Sequence, residues 1–419
     1  MKRMILFEQT KSIPITKEMV WEAYLEVKKK GKSAGIDDLS MELYSKCKSR
    51  ELYKVWNRLS SGSYFPSAVK RVEITKTDGG KRPLGIPTIS DRVAQTVIRR
   101  LIEPRFEALF HESSYGYRPN KSAHAALEAA RTNCWRYNWV LDLDIKGFFD
   151  NIDHEKMLKA LERHIPERWI MMYIQRWLTV PVRELDGREV ARRKGTPQGG
   201  VISPLLANIY LHYTLDAWLE KHYPEMKFER YADDVVIHCQ SEAEVRALKD
   251  NLETRLRSCG LEMHGEKTRI VYCRDSKRRG KYPVVKFDFL GFSFQPRTSK
   301  HRKTGELFLG YDCAMSIQSR SRILDTIRKM DIQRTSCNRI VYIAQQLNPY
   351  IRGWVHYYGR FRGYELDKVF YVLRTRLMRW AKDRYKRYRN NIRKAYAWLD
   401  RVRKQYPNLF YHWQLGYAN

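Results

Sequence analysis

Apolar positions recur along the chain with one of two periods, and the switches between them outline the elements. Val20, Tyr24 and Val27 fall at helical spacing between Thr16 and Lys30, and the polar run from Gly31 to Asp37 stops that helix. Val72-Glu73-Ile74 and Arg82-Pro83-Leu84-Gly85-Ile86-Pro87 flank Asp78-Gly79-Gly80, which predicts a hairpin with Lys76, Lys81 and Arg82 near its tip. Ser114-Tyr115-Gly116-Tyr117-Arg118-Pro119 reads as a loop before a helix over residues 122–130. Trp139-Val140-Leu141-Asp142-Leu143-Asp144-Ile145 alternates with period two and predicts a strand, with Val140, Asp142 and Asp144 on one face. A second hairpin turns at Asp186-Gly187. Ser203 is a natural N-cap, with Pro204 in the first helical position. Ser241-Glu242-Ala243-Glu244 is a capping box for a helix carrying Val245, Leu248 and Leu252, with Gly260 as its stop. Ile270-Val271-Tyr272 predicts a strand, and Phe287-Asp288-Phe289-Leu290-Gly291-Phe292 a hairpin or bulged strand. The polar stretch over residues 295–306 marks the main domain boundary. Beyond it the pattern is helical, with Leu373, Leu377, Trp380 and Tyr385 forming an apolar stripe.

Charge changes this picture. The 419 residues carry 79 Lys+Arg against 47 Asp+Glu, a net charge of +32, which calls for a polyanionic partner. Aromatics make up 13% of the chain, and many stand among the basic residues, an arrangement suited to stacking on bases as well as to phosphate contact. From Arg374 to Arg389 almost no acids balance the cations, which points to RNA or DNA. No apolar run approaches the roughly 20 residues needed to span a bilayer, and the N-terminus is not a signal peptide. The seven cysteines are scattered and read as reduced thiols of a cytosolic protein, with no zinc site.

The candidate chemistry centres on Tyr231-Ala232-Asp233-Asp234, two adjacent carboxylates inside an apolar run from Phe228 to Ile237. Aspartate is depleted in strands, and two like charges side by side must be offset by cations, usually a hard divalent metal with oxygen ligands. Asp144 is the candidate third ligand, if its strand lies beside the one that begins or turns at Asp233-Asp234. The other reading makes Asp142 and Asp144 solubilising residues on an edge strand. His238 reads as packing.

In order along the chain stand the basic hairpin, the Asp144 strand, Gly195-Thr196-Pro197-Gln198-Gly199-Gly200, Tyr231 to Asp234, Lys267 and Phe289-Leu290-Gly291. That series resembles the reverse transcriptases, most closely the bacterial group II intron reverse transcriptase/maturases. Asn348-Pro349-Tyr350-Ile351-Arg352-Gly353-Trp354 is similar to the maturase (thumb) domain of the same family. The resemblance implies an α+β right-hand polymerase, with fingers and an antiparallel palm sheet followed by an α-helical thumb. Residues 1–60 would be an RNA-binding N-terminal extension, 61–295 the fingers and palm, and 296–419 the thumb/maturase domain.

It further implies an RNA-directed DNA polymerase of the bacterial cytoplasm that extends a DNA primer on an RNA template with dNTPs. Asp144, Asp233 and Asp234 would hold two Mg²⁺ ions, with Mn²⁺ able to substitute, around an in-line attack at the α-phosphate. Asp142 would have a supporting role at most. Lys76 and Arg82 would grip the triphosphate, and Gln198 and Gly199 would contact the nucleotide or template. Phe149 would block a ribose 2′-hydroxyl, with core packing as the competing role because Phe148 is adjacent. Lys267 would neutralise or protonate pyrophosphate. Arg352, Trp354, Arg374, Arg379 and Lys386 would bind group II intron RNA, assisting its splicing and its mobility into target DNA. The chain stops soon after Phe410, so no endonuclease module is expected and the primer would come from elsewhere. A domesticated relative in DNA repair or phage defence, and a non-catalytic splicing factor, are the alternatives.

Overall fold

The computed structural model describes residues 13–31, 33–75, 80–301, 303–334 and 339–417, with the side chain of Arg82 left aside. They form a mixed α+β protein whose strands, in chain order, are β1 (Val69–Thr75), β2 (Lys81–Ile86), β3 (Trp139–Leu143), β4 (Val182–Arg183), β5 (Glu189–Val190), β6 (Lys227–Tyr231), β7 (Asp234–Cys239), β8 (Arg269–Tyr272), β9 (Phe287–Phe289), β10 (Phe292–Lys300) and β11 (Leu307–Met315). Their orders are β2-β1-β4-β5, β6-β7-β3-β8 and β11-β10-β9. Two compact units result. One holds the chain up to residue 126 with residues 143–237 and 243–268, the other residues 127–142, 238–242 and 269 onward.

Both predicted hairpins form. β1 and β2 pair antiparallel, Val72 opposite Leu84 and Thr75 opposite Lys81. Their Asp78-Gly79 tip, with Lys76, lies outside the described residues. β4 and β5 turn through Gly187 at φ +88°, a conformation glycine enters without strain. β3 is a central strand of its sheet, so the edge-strand reading of Asp142 and Asp144 fails: Trp139, Val140, Leu141 and Leu143 are all buried. Asp142 faces Arg269, its partner across β8, at 3.1 Å, which is a structural ion pair.

The helix Ser203–Leu211 corrects one expectation. Ile202 is its N-cap, while Ser203 is already helical and buried, its hydroxyl accepting from Thr196 Oγ1 at 2.8 Å. Gln95, on the helix Ile89–Glu107, instead holds the residues just before the helix. Its side-chain oxygen accepts from the Val201 N–H at 2.8 Å.

In the second unit, Leu290 and Gly291 turn β9 into β10 with φ of +49° and +79°. Tyr357 Oη donates to the Leu290 carbonyl at 2.8 Å, and Ser319 Oγ to that of Gly291 at 2.9 Å. The expected stripe is real: Leu373, Leu377 and Trp380, on the helix Asp367–Arg384, are buried with Leu347, Ile351 and Phe370. Cys337 lies outside the described residues; the other six cysteines are free thiols. Among the described residues no helix is long and apolar enough to cross a membrane.

Candidate active site

Two residues, Ala232 and Asp233, join β6 to β7, so Asp233 stands in a hairpin turn and Asp234 begins β7. Ala232 has φ +57°, a left-handed conformation that costs a residue with a Cβ on the order of 1 kcal/mol or more. Such strain persists only where the surroundings over-determine it, and here they do. Arg230 is completely buried and forms a two-pronged ion pair with Asp216, also completely buried, at 2.7 and 2.5 Å. The same guanidinium donates to Asn208 Oδ1 at 2.8 Å and to the Ala232 carbonyl at 3.2 Å. Asn208 Nδ2 donates to the Gly116 carbonyl at 2.7 Å. Gly116 lies so close to the turn that a Cβ there would stand 2.4 Å from the Ala232 nitrogen, hence the glycine. Asp233 is half-buried and Asp234 exposed.

Asp144 follows β3, the neighbour of β7 in its sheet. Its backbone is clamped by the segment after the helix Glu242–Ser258: the His264 N–H donates to its carbonyl at 2.9 Å, and its own N–H donates to Thr268 Oγ1 at 3.3 Å. Lys267 Nζ stands 3.9 Å from Asp144 Oδ2, so this carboxylate already draws a cation. As the side chains stand, no three His, Cys, Asp or Glu among the described residues are grouped closely enough to hold a metal ion. The donors nonetheless fit a hard divalent cation in kind, being carboxylates on a turn and at a strand end of one sheet.

The loop from Gly195 to Gly200 is built against β2. The Gly85 N–H donates to the Gln198 carbonyl at 2.8 Å, and a Cβ on Gly199, at φ +124°, would meet the Gly85 carbonyl oxygen at 2.7 Å. Gln198 Nε2 donates to Asp150 at 3.3 Å. The Phe149 carbonyl accepts from the Thr196 N–H at 2.8 Å, which ties the short helix Phe148–Asn151 to the same loop. Phe148 and Phe149 are both buried, edge to face, with Phe149 the more accessible at 7% against 2%.

In the second unit the expected RNA-binding residues divide by exposure. Arg352, Arg379 and Lys386 are exposed, Arg352 lying over the Tyr411 ring at 5.4 Å. Trp354 is half-buried against the helical core, and Arg374 is engaged by Asp400 at 2.9 Å.

Sequence patterns alone did not single out Arg230, Asp216, Asn208 or Gly116. One signal was available: a charge at Arg230 inside an apolar strand needs a buried partner. That the partner is Asp216 was hidden, because it lies in a π-helical turn, His212–Asp216, whose register helical spacing does not describe.

Residues 74–294 match the family described as reverse transcriptase (RNA-dependent DNA polymerase), and residues 320–398 match the group II intron, maturase-specific domain. The chain is 30% identical over 333 residues to Protein YkfC of Escherichia coli (strain K12), an alignment covering 66% of this chain and 87% of that one. It is 33% identical over 236 residues to the group II intron-encoded protein LtrA of Lactococcus lactis subsp. cremoris, covering 56% of this chain and 38% of LtrA. With the nuclear intron maturase 4, mitochondrial, of Arabidopsis thaliana it shares 28% identity over 153 residues, covering 36% and 19%. The first family match alone spans more than half of the chain, which therefore belongs to the reverse transcriptases, RNA-dependent DNA polymerases, and carries with it the group II intron maturase domain.

Proposed function

We propose that this chain extends a DNA primer on an RNA template with dNTPs, and that it binds group II intron RNA to assist splicing and insertion into target DNA. Asp144, Asp233 and Asp234 would hold two divalent ions, Mg²⁺ with Mn²⁺ able to replace it. The observation that carries this reading is the strained turn at Ala232, fixed from both sides so that Asp233 is offered at one place. When bound, divalent ions offset the charge that develops on the reacting phosphate and on the leaving pyrophosphate. In this reading residues 61–295 act as fingers and palm, 296–419 as thumb and maturase domain, and 1–60 as an RNA-binding extension, in a bacterial cytoplasm.

The chain's own residues divide the remaining work. Lys267, beside Asp144, neutralises the departing pyrophosphate. Gln198 and Gly199 border the nucleotide, and Lys76 and Arg82 hold its triphosphate. Arg352, Trp354, Arg374, Arg379 and Lys386 contact the intron RNA.

The test is extension of a labelled DNA primer on an RNA template by the full chain with dNTPs. Full-length product is expected with Mg²⁺, loss of it with a chelator and recovery when Mg²⁺ is restored. No extension under either metal would remove the polymerase reading.

Phe149 gives a second test. A ring over the sugar position excludes a 2′-hydroxyl, so Phe149→Val is expected to raise the ratio of ribonucleotide to deoxyribonucleotide kcat/KM by roughly tenfold or more, the scale of a steric contact at a pocket wall. An unchanged ratio would leave Phe149 a packing residue.

A further inference from the structure

On the first unit a cavity of about 300 Å³ opens between the helices His154–Glu162 and Glu242–Ser258 and the π-helical turn. Lys156, Lys159, Arg163 and Arg255 line it beside Tyr210 and Tyr213, and no carboxylate does. The contacts that engage these cations are to neutral groups. Lys156 Nζ donates to the Ser258 carbonyl at 2.8 Å, and Arg255 to the carbonyls of Thr214 and Tyr213 at 3.0 and 2.9 Å. Arg163 lies over the Tyr213 ring at 5.5 Å. Other arginines of this unit are paired with acids, as Arg105 is with Glu167 and Arg118 with Glu107, although Arg176, like Arg255, donates to carbonyls, those of Gly62 and Tyr64. Four cationic side chains on one cavity wall, with no acid among its lining residues, suit an anion.

Arg255 also lines a second cavity, of about 510 Å³, with Trp218, His222, Tyr223 and Asn251. The Trp218 ring centroid stands 5.1 Å from that of His222 and 5.5 Å from that of Tyr223. The basic cavity and the aromatic one thus share Arg255 as a wall. None of these residues belongs to the site of Asp144 and Asp233.

We propose that the two neighbouring cavities together bind a single strand of nucleic acid, its phosphates among Lys156, Lys159, Arg163 and Arg255 and a base against Trp218 and Tyr223. A duplex keeps its bases stacked on each other, whereas a single strand can turn one onto an aromatic side chain. The strand is distinct from the primer–template, and only the class of ligand rests on the proposed function.

The experiment uses the full chain saturated with unlabelled primer–template. Binding of a fluorescent 12-nucleotide RNA carrying 5-iodouridine, or of its DNA counterpart, is followed by anisotropy and by crosslink mapping. Crosslinks to peptides containing Trp218 or Tyr223 are expected. Lys159→Glu/Arg163→Glu alters two exposed side chains and should weaken the strand at least tenfold. It should also reduce the slope of log affinity against log salt by about 1.4, two phosphate contacts at roughly 0.7 each. Trp218→Ala should cost roughly tenfold. Thermal unfolding and extension on a short template should match the wild type. A preference for RNA names an RNA strand as the occupant, and a preference for DNA names a DNA strand. The proposal is overturned by crosslinks confined to other segments, or by no binding once primer–template is saturating. It is equally overturned if Arg328→Glu/Arg334→Glu, the same charge change on exposed residues of the other unit, weakens the strand as much. Extension lost in proportion to strand binding would place the groove within the polymerase site and overturn its separateness. Absence of extension by the wild type would instead count against the polymerase reading.

Discussion

Asp233→Ala is expected to abolish primer extension, by roughly three orders of magnitude or more, while RNA affinity and thermal stability stay at wild-type levels. The size follows from what a carboxylate ligand supports: a metal at a reacting phosphate supplies several kcal/mol of charge stabilisation, and each 1.36 kcal/mol is about tenfold in rate. The separation follows from placement. Asp233 is half-buried in a two-residue turn, and the Arg230 guanidinium holds that turn by the Ala232 carbonyl. Asp233→Ala leaves that bond in place, so the turn is expected to hold and thermal stability to stay near the wild-type value. In the proposed reading RNA affinity rests on basic residues elsewhere in the chain. Primer extension with Mg²⁺, filter binding of the RNA and thermal unfolding read the three quantities independently. Extension retained by the variant would sink the metal assignment, and a fall in RNA affinity equal to the fall in rate would show that Asp233 serves binding instead.

What the sequence made legible was what local rules govern. The period-two run at Asp144, the Asp-Gly hairpins and the stripe of Leu373, Leu377 and Trp380 are written in neighbouring residues, and each is found in its place. The doubled aspartates were legible because their electrostatic cost is visible in one dimension. The device that holds them was not. Arg230 meets Asp216 across 14 residues, and Gly116 meets the turn across more than a hundred, so both are contacts of the folded chain alone. The Ser203 cap failed for a related reason: a hydroxyl three positions from an amide is a local argument, and Thr196 and Gln95 override it from the loop and from another helix. Asp142 shows the converse. Its pattern equals that of Asp144, yet Arg269 across the sheet ties it into the structure.

Arg230 carries the second large effect, and here stability and activity can be pulled apart. Arg230→Met keeps the side-chain volume but leaves Asp216 charged, completely buried and unpaired by its arginine, which is expected to cost about 3–5 kcal/mol. Replacing both partners, Arg230→Met with Asp216→Leu, removes the stranded charge, and such apolar replacements of buried pairs are often neutral or stabilising. The double variant should therefore regain most of the lost stability in thermal or urea unfolding. Its extension rate should not recover, because the Ala232 carbonyl and Asn208 still lack the donor that fixed them, and the strained φ at Ala232 is free to relax and displace Asp233. The signature is a raised Mg²⁺ requirement for extension, with primer–template affinity unchanged. Arg230→Lys sharpens the distinction: an ammonium keeps the charge but cannot make the two-pronged bond to Asp216 while also reaching Asn208 and Ala232, so part of the stability and little of the activity should return. If the double variant recovers stability and extension together, the ion pair serves the fold alone and positions nothing. If it recovers stability and leaves a metal-dependent defect, the buried arginine is what sets the aspartates at the reacting phosphate.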